Sequence, residues 1–286
     1  MRVLFYVLIF AALAGCQGEQ HAGEVRSAEA APGAGSTEAG HAAAEPAVVV
    51  DLSPRKPVIE ETIAYGEADD HNLNGVLTLP ADSFEPPPGV LIIHEWWGLN
   101  ETLRTLARRL AGEGFVVLAI DLYGGEVAAS TAQAQALMTR VMTDPEAALD
   151  NIRQGIEYLR RYALAPRVAT IGWSFGGTWS LQAGLRHAEL LDAVVMYYGQ
   201  LVSDEAQIEQ LDSPILGMFA GNDESITPDS VVGFRAALRQ AGKNADVRIY
   251  PDTGHEFATP DSDNYDAAAA EDAWSRTIAF LDMHLR

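Results

Sequence analysis

Beyond about residue 58, short apolar runs alternate with longer stretches in which apolar positions recur every three or four residues. That alternation is the pattern of a mostly parallel central sheet flanked by helices on both faces, an α/β architecture. Residues 59–65 and 73–79 read as an antiparallel pair, joined through the polar turn 66–72 and closed by Pro80. The runs at 90–93, 115–120, 168–171, 193–197, 215–219 and 247–250 are short and mostly apolar, and they predict strands. Helices are predicted between them at 102–111, 128–142, 145–162, 205–211 and 228–241, with a closing helix at 266–285. Residues 16–57 break the pattern, being mostly Ala, Gly, Glu, Ser and Pro without an aromatic. Such a segment buries too little apolar surface to offset its ordering entropy, so it is expected to be a disordered tether to a domain at 58–286.

In an open sheet of this kind chemistry gathers at the carboxyl ends of the strands. After Val168-Ala169-Thr170-Ile171 comes Gly172-Trp173-Ser174-Phe175-Gly176-Gly177, followed at once by helix-forming residues. A turn this sharp between strand and helix needs side-chain-free neighbours on either side of Ser174 and pushes its hydroxyl outward. After Phe219 comes Gly221-Asn222-Asp223, and after Tyr250 comes Pro251-Asp252-Thr253-Gly254-His255. The chain order Ser, Asp, His is that of α/β-hydrolases. Ser174 needs a base, His255 can take and return its proton, and Asp223 can fix the imidazole tautomer. Taken singly, Asp223 is an ordinary turn residue and His255 an ordinary loop histidine. His94 also stands at a strand end, but it precedes the serine and breaks the order. A tetrahedral intermediate also requires backbone N–H donors, for which Phe175, next to the nucleophile, and Trp96, in the loop 94–100, are the candidates. Glu95, directly after an apolar strand, must be exposed or paired. It is a candidate pocket residue with Trp97 and Tyr123, while core packing remains an equal reading for the tryptophans.

Charge and the amino terminus change the picture further. Nineteen Lys and Arg face 40 Asp and Glu, a formal net charge of -21, which argues against nucleic acid as a partner because phosphate binding needs clustered cations. Met1-Arg2 and the apolar run to Leu13 are too short to span a bilayer and read as a secretory signal over 1–15. The run ends in Leu13-Ala14-Gly15-Cys16, which resembles the lipobox of bacterial lipoproteins. Cys16 is the one cysteine of the chain, which excludes an internal disulfide and a cysteine metal cluster and leaves lipidation as its expected role. That resemblance implies a protein exported to the bacterial envelope and touching a membrane only through Cys16, and Gln17 favours the outer membrane.

Four islands together resemble the dienelactone hydrolase family of the α/β-hydrolase fold over essentially all of 58–286: His94-Glu95-Trp96-Trp97-Gly98-Leu99-Asn100, Ala119-Ile120-Asp121-Leu122-Tyr123, residues 171–177, and Gly254-His255-Glu256-Phe257. In that family the nucleophile is usually cysteine, with a glutamate from the post-strand loop beside it; here Ser174 and Glu95 hold those positions. Members acting on dienelactone carry an arginine shortly after the catalytic histidine to hold the substrate carboxylate, whereas His255 is followed by Glu256, Phe257, Ala258 and Thr259. The resemblance, so modified, implies a serine hydrolase of carboxylic esters or lactones with no metal or organic cofactor and weak or no activity on dienelactone. A hydrolase-like binding lipoprotein, and an acyltransferase or peptidase on the same fold, are the alternatives.

Overall fold

A computed structural model describes residues 50–286. The expected signal at 1–15, Cys16 and most of the expected tether lie outside the described residues. Eight strands form one sheet in the order β1-β2-β4-β3-β5-β6-β7-β8. They are β1 (Val58–Ala68), β2 (His71–Pro80), β3 (Gly89–Ile93), β4 (Val116–Ile120), β5 (Val168–Trp173), β6 (Ala193–Tyr197), β7 (Ile215–Ala220) and β8 (Ala245–Tyr250). The β1–β2 and β2–β4 pairs are antiparallel, and from β4 onward every pair is parallel.

The five central parallel strands β3 to β7, apart from the rim β8, are buried along their whole length. Both their faces are covered, which explains runs without an apolar–polar alternation. The helices are α1 (Glu101–Gly112), α2 (Thr131–Thr143), α3 (Pro145–Arg161), α4 (Phe175–Arg186), the short α5 (Glu205–Glu209), α6 (Pro228–Gln240) and α7 (Ala267–Leu285). On one face α1 and α7 bring Leu106, Leu110, Trp274 and Leu281 onto Ile92, Val117 and Val195. On the other, α2, α3, α4 and α6 bring Leu137, Ile152, Leu181 and Phe234 onto Leu91, Leu118 and Met196.

Local chemistry sets the element ends. Ser130 caps α2 by accepting from the Gln133 N–H, so this helix starts at Thr131 and not at 128. Asp144 caps α3 ahead of Pro145, as its first-turn proline suits. The first hairpin corrects the sequence reading more: the ladder runs on to Ala68 paired with His71, leaving only Asp69 and Asp70 as the turn, at φ 46° and 64°. Polar edge residues end the hydrophobic pattern before they end the hydrogen bonding, so the expected turn 66–72 was too long. Residues 50–57 carry no regular structure; Pro54 and Arg55 lie against Gly112, and Arg55 pairs with Glu113. Among the described residues no helix is long and apolar enough to cross a membrane.

Candidate active site

Ser174 sits between the end of β5 and the first residue of α4 at φ 50°, ψ -113°, a left-handed-region conformation that an L residue rarely adopts. Its neighbours show why the turn needs glycine. A Cβ on Gly172 would stand 2.2 Å from the Gly176 carbonyl, and one on Gly176 would stand 2.1 Å from the Ile93 carbonyl oxygen. The turn is therefore wedged directly against the exit of β3. The Ser174 N–H donates to the Tyr197 carbonyl of β6, which fixes the turn to the neighbouring strand as well.

The other two strand-end residues meet this hydroxyl. His255, in the loop after β8, places Nε2 2.9 Å from Ser174 Oγ, and its Nδ1 lies 2.6 Å from Asp223 Oδ2 in the loop after β7. Asp223 is buried and also accepts through Oδ1 from the Ser225 and Ile226 N–H groups, at 2.8 and 2.9 Å. Burial alone would raise its pKa, but the His255 hydrogen bond and these backbone donors outweigh it and hold the carboxylate below its usual range. For His255 burial disfavours the imidazolium, yet the hydrogen bond and charge of Asp223, helped by Glu256 and Glu95, lift it above its ordinary value. A carboxylate on Nδ1 fixes Nε2 as the acceptor for the serine proton. The three residues thus form a nucleophile, base and orienting acid in one unbroken chain.

His94 lies near this triad and has a different occupation. It is fully buried, its Nδ1 is 2.6 Å from the Glu95 carbonyl oxygen, and its Nε2 accepts from the Leu122 N–H at 3.0 Å. Burial lowers its pKa, so it is a neutral clasp between the loops after β3 and β4. The Gly98 N–H donates to the same Glu95 carbonyl at 3.1 Å. With that oxygen held from one side, the planar trans peptide turns the Trp96 N–H to the other side. Among the described residues neither the Trp96 nor the Phe175 N–H donates to an acceptor within the protein.

Tyr123 differs from its expected place in the pocket. Its ring is 1% exposed, stands 4.5 Å from the His94 ring, and donates its hydroxyl to the Trp96 carbonyl at 3.1 Å. It supports the loop from behind, because the clasp draws the β4 exit under the β3 exit. Trp97 and Glu95 line a cavity of about 320 Å3, together with Thr259, Glu256, Asp261 and Asp263. Glu95 is 8% exposed, and its Oε1 accepts from Thr259 Oγ1 at 2.8 Å. Thr259 is in turn 2.9 Å from the buried Tyr198 hydroxyl. Burial is the main cause that pushes Glu95 up to about 7. The sequence reading missed Tyr198 and the supporting part of Thr259. Tyr198 directly follows β6, one further strand end, and its ring lies 5.1 Å from that of His255, so the strand-end rule could have found it. Among the described residues no group of three or more His, Cys, Asp or Glu is arranged to hold a metal ion.

Comparison with known proteins agrees with this geometry. Residues 73–285 match the model of the dienelactone hydrolase family. "Protein usf" of Aquifex pyrophilus is 33% identical over 205 residues, which cover 69% of this chain and 89% of that protein. A "Putative carboxymethylenebutenolidase" of Escherichia coli (strain K12) is 32% identical over 226 residues, covering 72% of this chain and 80% of the other. Among solved structures, a "Putative Dienelactone Hydrolase" from Klebsiella pneumoniae subsp. pneumoniae MGH 78578 superimposes with a TM-score of 0.71 at 25% identity, over 79% of this chain and 99% of that one.

Proposed function

The chain belongs to the dienelactone hydrolase family, and from that premise we propose that it hydrolyses small or medium carboxylic esters or lactones through an acyl-enzyme on Ser174. The observation that carries the proposal is the continuous hydrogen-bond chain from Ser174 through His255 to Asp223. In the acylation step Ser174 Oγ bonds to the substrate carbonyl carbon while its proton passes to His255 Nε2. The Asp223 carboxylate stabilises the imidazolium. Collapse of the tetrahedral intermediate breaks the carbonyl carbon–alkoxy oxygen bond, and His255 returns the proton to the leaving alcohol. Water then repeats the sequence with the same base and releases the acid. The oxyanion is assigned to the N–H groups of Phe175 and Trp96. This is supported by the orphan position of Phe175 at the start of α4, the clamped Glu95–Trp96 peptide, and the contact of Gly176 with the β3 exit. Glu95 and Trp97 are assigned to the wall of the substrate pocket.

Within the family this chain carries serine where a cysteine is usual, and no lysine or arginine lines the cavity walled by Glu95, Trp97 and Glu256. Both features favour ordinary esters over the anionic dienelactone. The test is labelling by a fluorophosphonate together with turnover of activated acyl esters. Wild-type protein is expected to label at Ser174, with labelling lost in His255→Ala, and Ser174→Ala is expected to lower kcat by about 10^4-fold or more. Folded protein that neither labels nor turns over any ester, or Ser174→Ala with wild-type turnover, would overturn the reading.

A further inference from the structure

His255 stands in the long connection from β8 to α7, residues 251–266, which contains neither helix nor strand. A base on such a segment needs something rigid behind it, because a small displacement of the imidazole breaks its alignment with Ser174 and Asp223 together. Tyr198, at the exit of β6, is that backing. Its side chain is fully buried, and its ring meets His255 edge-on at 5.1 Å and Phe257 of the same connection at 5.5 Å. Its own backbone sits at φ 35°, uncommon for an aromatic residue, with its N–H donating to the Met218 carbonyl of β7 at 2.7 Å. A conformation of this kind persists only where the surroundings fix it, and such positions cluster at working sites.

The hydroxyl extends the contact to a third element. Tyr198 Oη is 2.9 Å from Thr259 Oγ1, and Thr259 donates its one hydroxyl proton to Glu95 Oε1 at 2.8 Å. With that proton spent, Thr259 accepts from Tyr198, so the chain is polarised from Tyr198 through Thr259 to Glu95. Burial lifts the Tyr198 hydroxyl well above its ordinary pKa, which keeps it a donor. All three side chains are buried, and the chain joins the exits of β3 and β6 to the segment that carries the base. Charged groups act on His255 from three directions: Asp223 from the β7 exit, Glu256 from its own segment and Glu95 from the β3 exit. Burial disfavours the imidazolium, and these three carboxylates oppose burial. Glu95 is itself finely balanced: burial pushes it up to about 7, Glu256 and Asp261 add to the rise, and the Thr259 hydrogen bond and His255 act against it.

We propose that Tyr198 and Thr259 are positioning residues of the reaction, which brace the His255 segment from behind and link the base to the Glu95 carboxylate. This rests on the hydrolase reading above and adds two residues to the machinery of the same site. The measurement is kcat/KM for p-nitrophenyl acetate against pH, with rates counted per Ser174 labelled by a fluorophosphonate, so that misfolded molecules do not enter. Tyr198→Phe keeps the ring and removes only the hydroxyl, away from the cavity wall. It is expected to lower kcat/KM by about 3- to 10-fold, through kcat and not KM, and to move the acid limb to lower pH. The direction follows from the chain: without the Tyr198 donor Thr259 donates less well, Glu95 keeps its proton to higher pH, and less negative charge supports the imidazolium. Thr259→Val is expected to move the limb further the same way, and Thr259→Ser, which keeps the hydroxyl, to restore it.

In a Glu95→Gln background, where the carboxylate charge is gone, neither Tyr198→Phe nor Thr259→Val is expected to move the limb again. Limbs at the wild-type pH in both variants overturn the inference. So does a shift of equal size with and without Glu95, since the two residues would then act by packing alone. Should Thr259→Val fail to fold, Tyr198→Phe in the two backgrounds decides by the same criteria. Wild-type protein with neither labelling nor Ser174-dependent turnover removes the hydrolase reading and the inference with it.

Discussion

At the scale of single residues, the site is a set of titrations set apart by their surroundings. His255 must be neutral to accept the serine proton, and its pKa lies above the ordinary value. Activity is therefore lost as pH falls through a point above about 6.5, and is full on the alkaline side. Replacing Asp223 by Asn removes the hydrogen bond and charge that lift it. The expected result in a profile of kcat/KM against pH is an acid limb displaced to lower pH, with a plateau reduced by roughly 10^3- to 10^4-fold. The left-handed backbone at Ser174 makes a second residue-scale prediction. Gly176→Ala would drive a methyl into the Ile93 carbonyl at 2.1 Å, with backbone on both sides and no flexible side chain to yield. Its soluble yield and thermal midpoint are expected to drop sharply, and a variant of wild-type stability would show that the turn can open.

At the scale of elements, the sequence was most legible where both sheet faces are buried. The strands at β6 and β7 and the start of α3 follow their apolar runs and caps to within a residue, because nothing there competes with the pattern. Legibility failed at the exposed edge, where the β1–β2 ladder continues through Glu67 and His71 on backbone hydrogen bonds that leave no apolar trace. It also failed at Tyr123, since position after a strand does not reveal that the His94 clasp turns the loop inward. Thr259 on the cavity wall and Tyr198 buried behind it are joined only through contacts distant in sequence. The hairpin itself is testable. With both turn residues at positive φ, it has the backbone of a type I′ turn, in which Asp is tolerated and Gly at the second position is preferred. Asp70→Gly relieves the left-handed penalty of about 1–2 kcal/mol, partly offset by added freedom of the unfolded chain. A net gain of about 0.5–1 kcal/mol is expected in denaturant unfolding, and a loss would mean that the Asp side chain holds the turn.

At the scale of the whole molecule, the proposal extends to where the protein works. We take residues 1–15 as an export signal and Cys16 as the lipid attachment point, supported by the basic start, the short apolar run and the small residues before the chain's single cysteine. Expressed in a Gram-negative host with an azide-bearing fatty acid, the wild type is expected to take up label and to partition into detergent. Cys16→Ala is expected to do neither, and equal label in both would place the lipid elsewhere or remove it from the account. The net charge of -21 fits a protein that meets a membrane through a lipid and not through its surface, since an anionic leaflet would repel it.

The order in which the sheet supplies its reactive ends has a consequence for biogenesis. Ser174 leaves β5 in the middle of the chain, Asp223 follows β7, and His255 comes only after β8, the last strand. A polypeptide made from its amino end carries an inert alcohol for most of its synthesis. The base arrives with the final segment. Hydrolysis is thereby confined to finished, folded molecules, and a chain truncated before β8 is a silent one, harmless to any ester in the compartment where it was made.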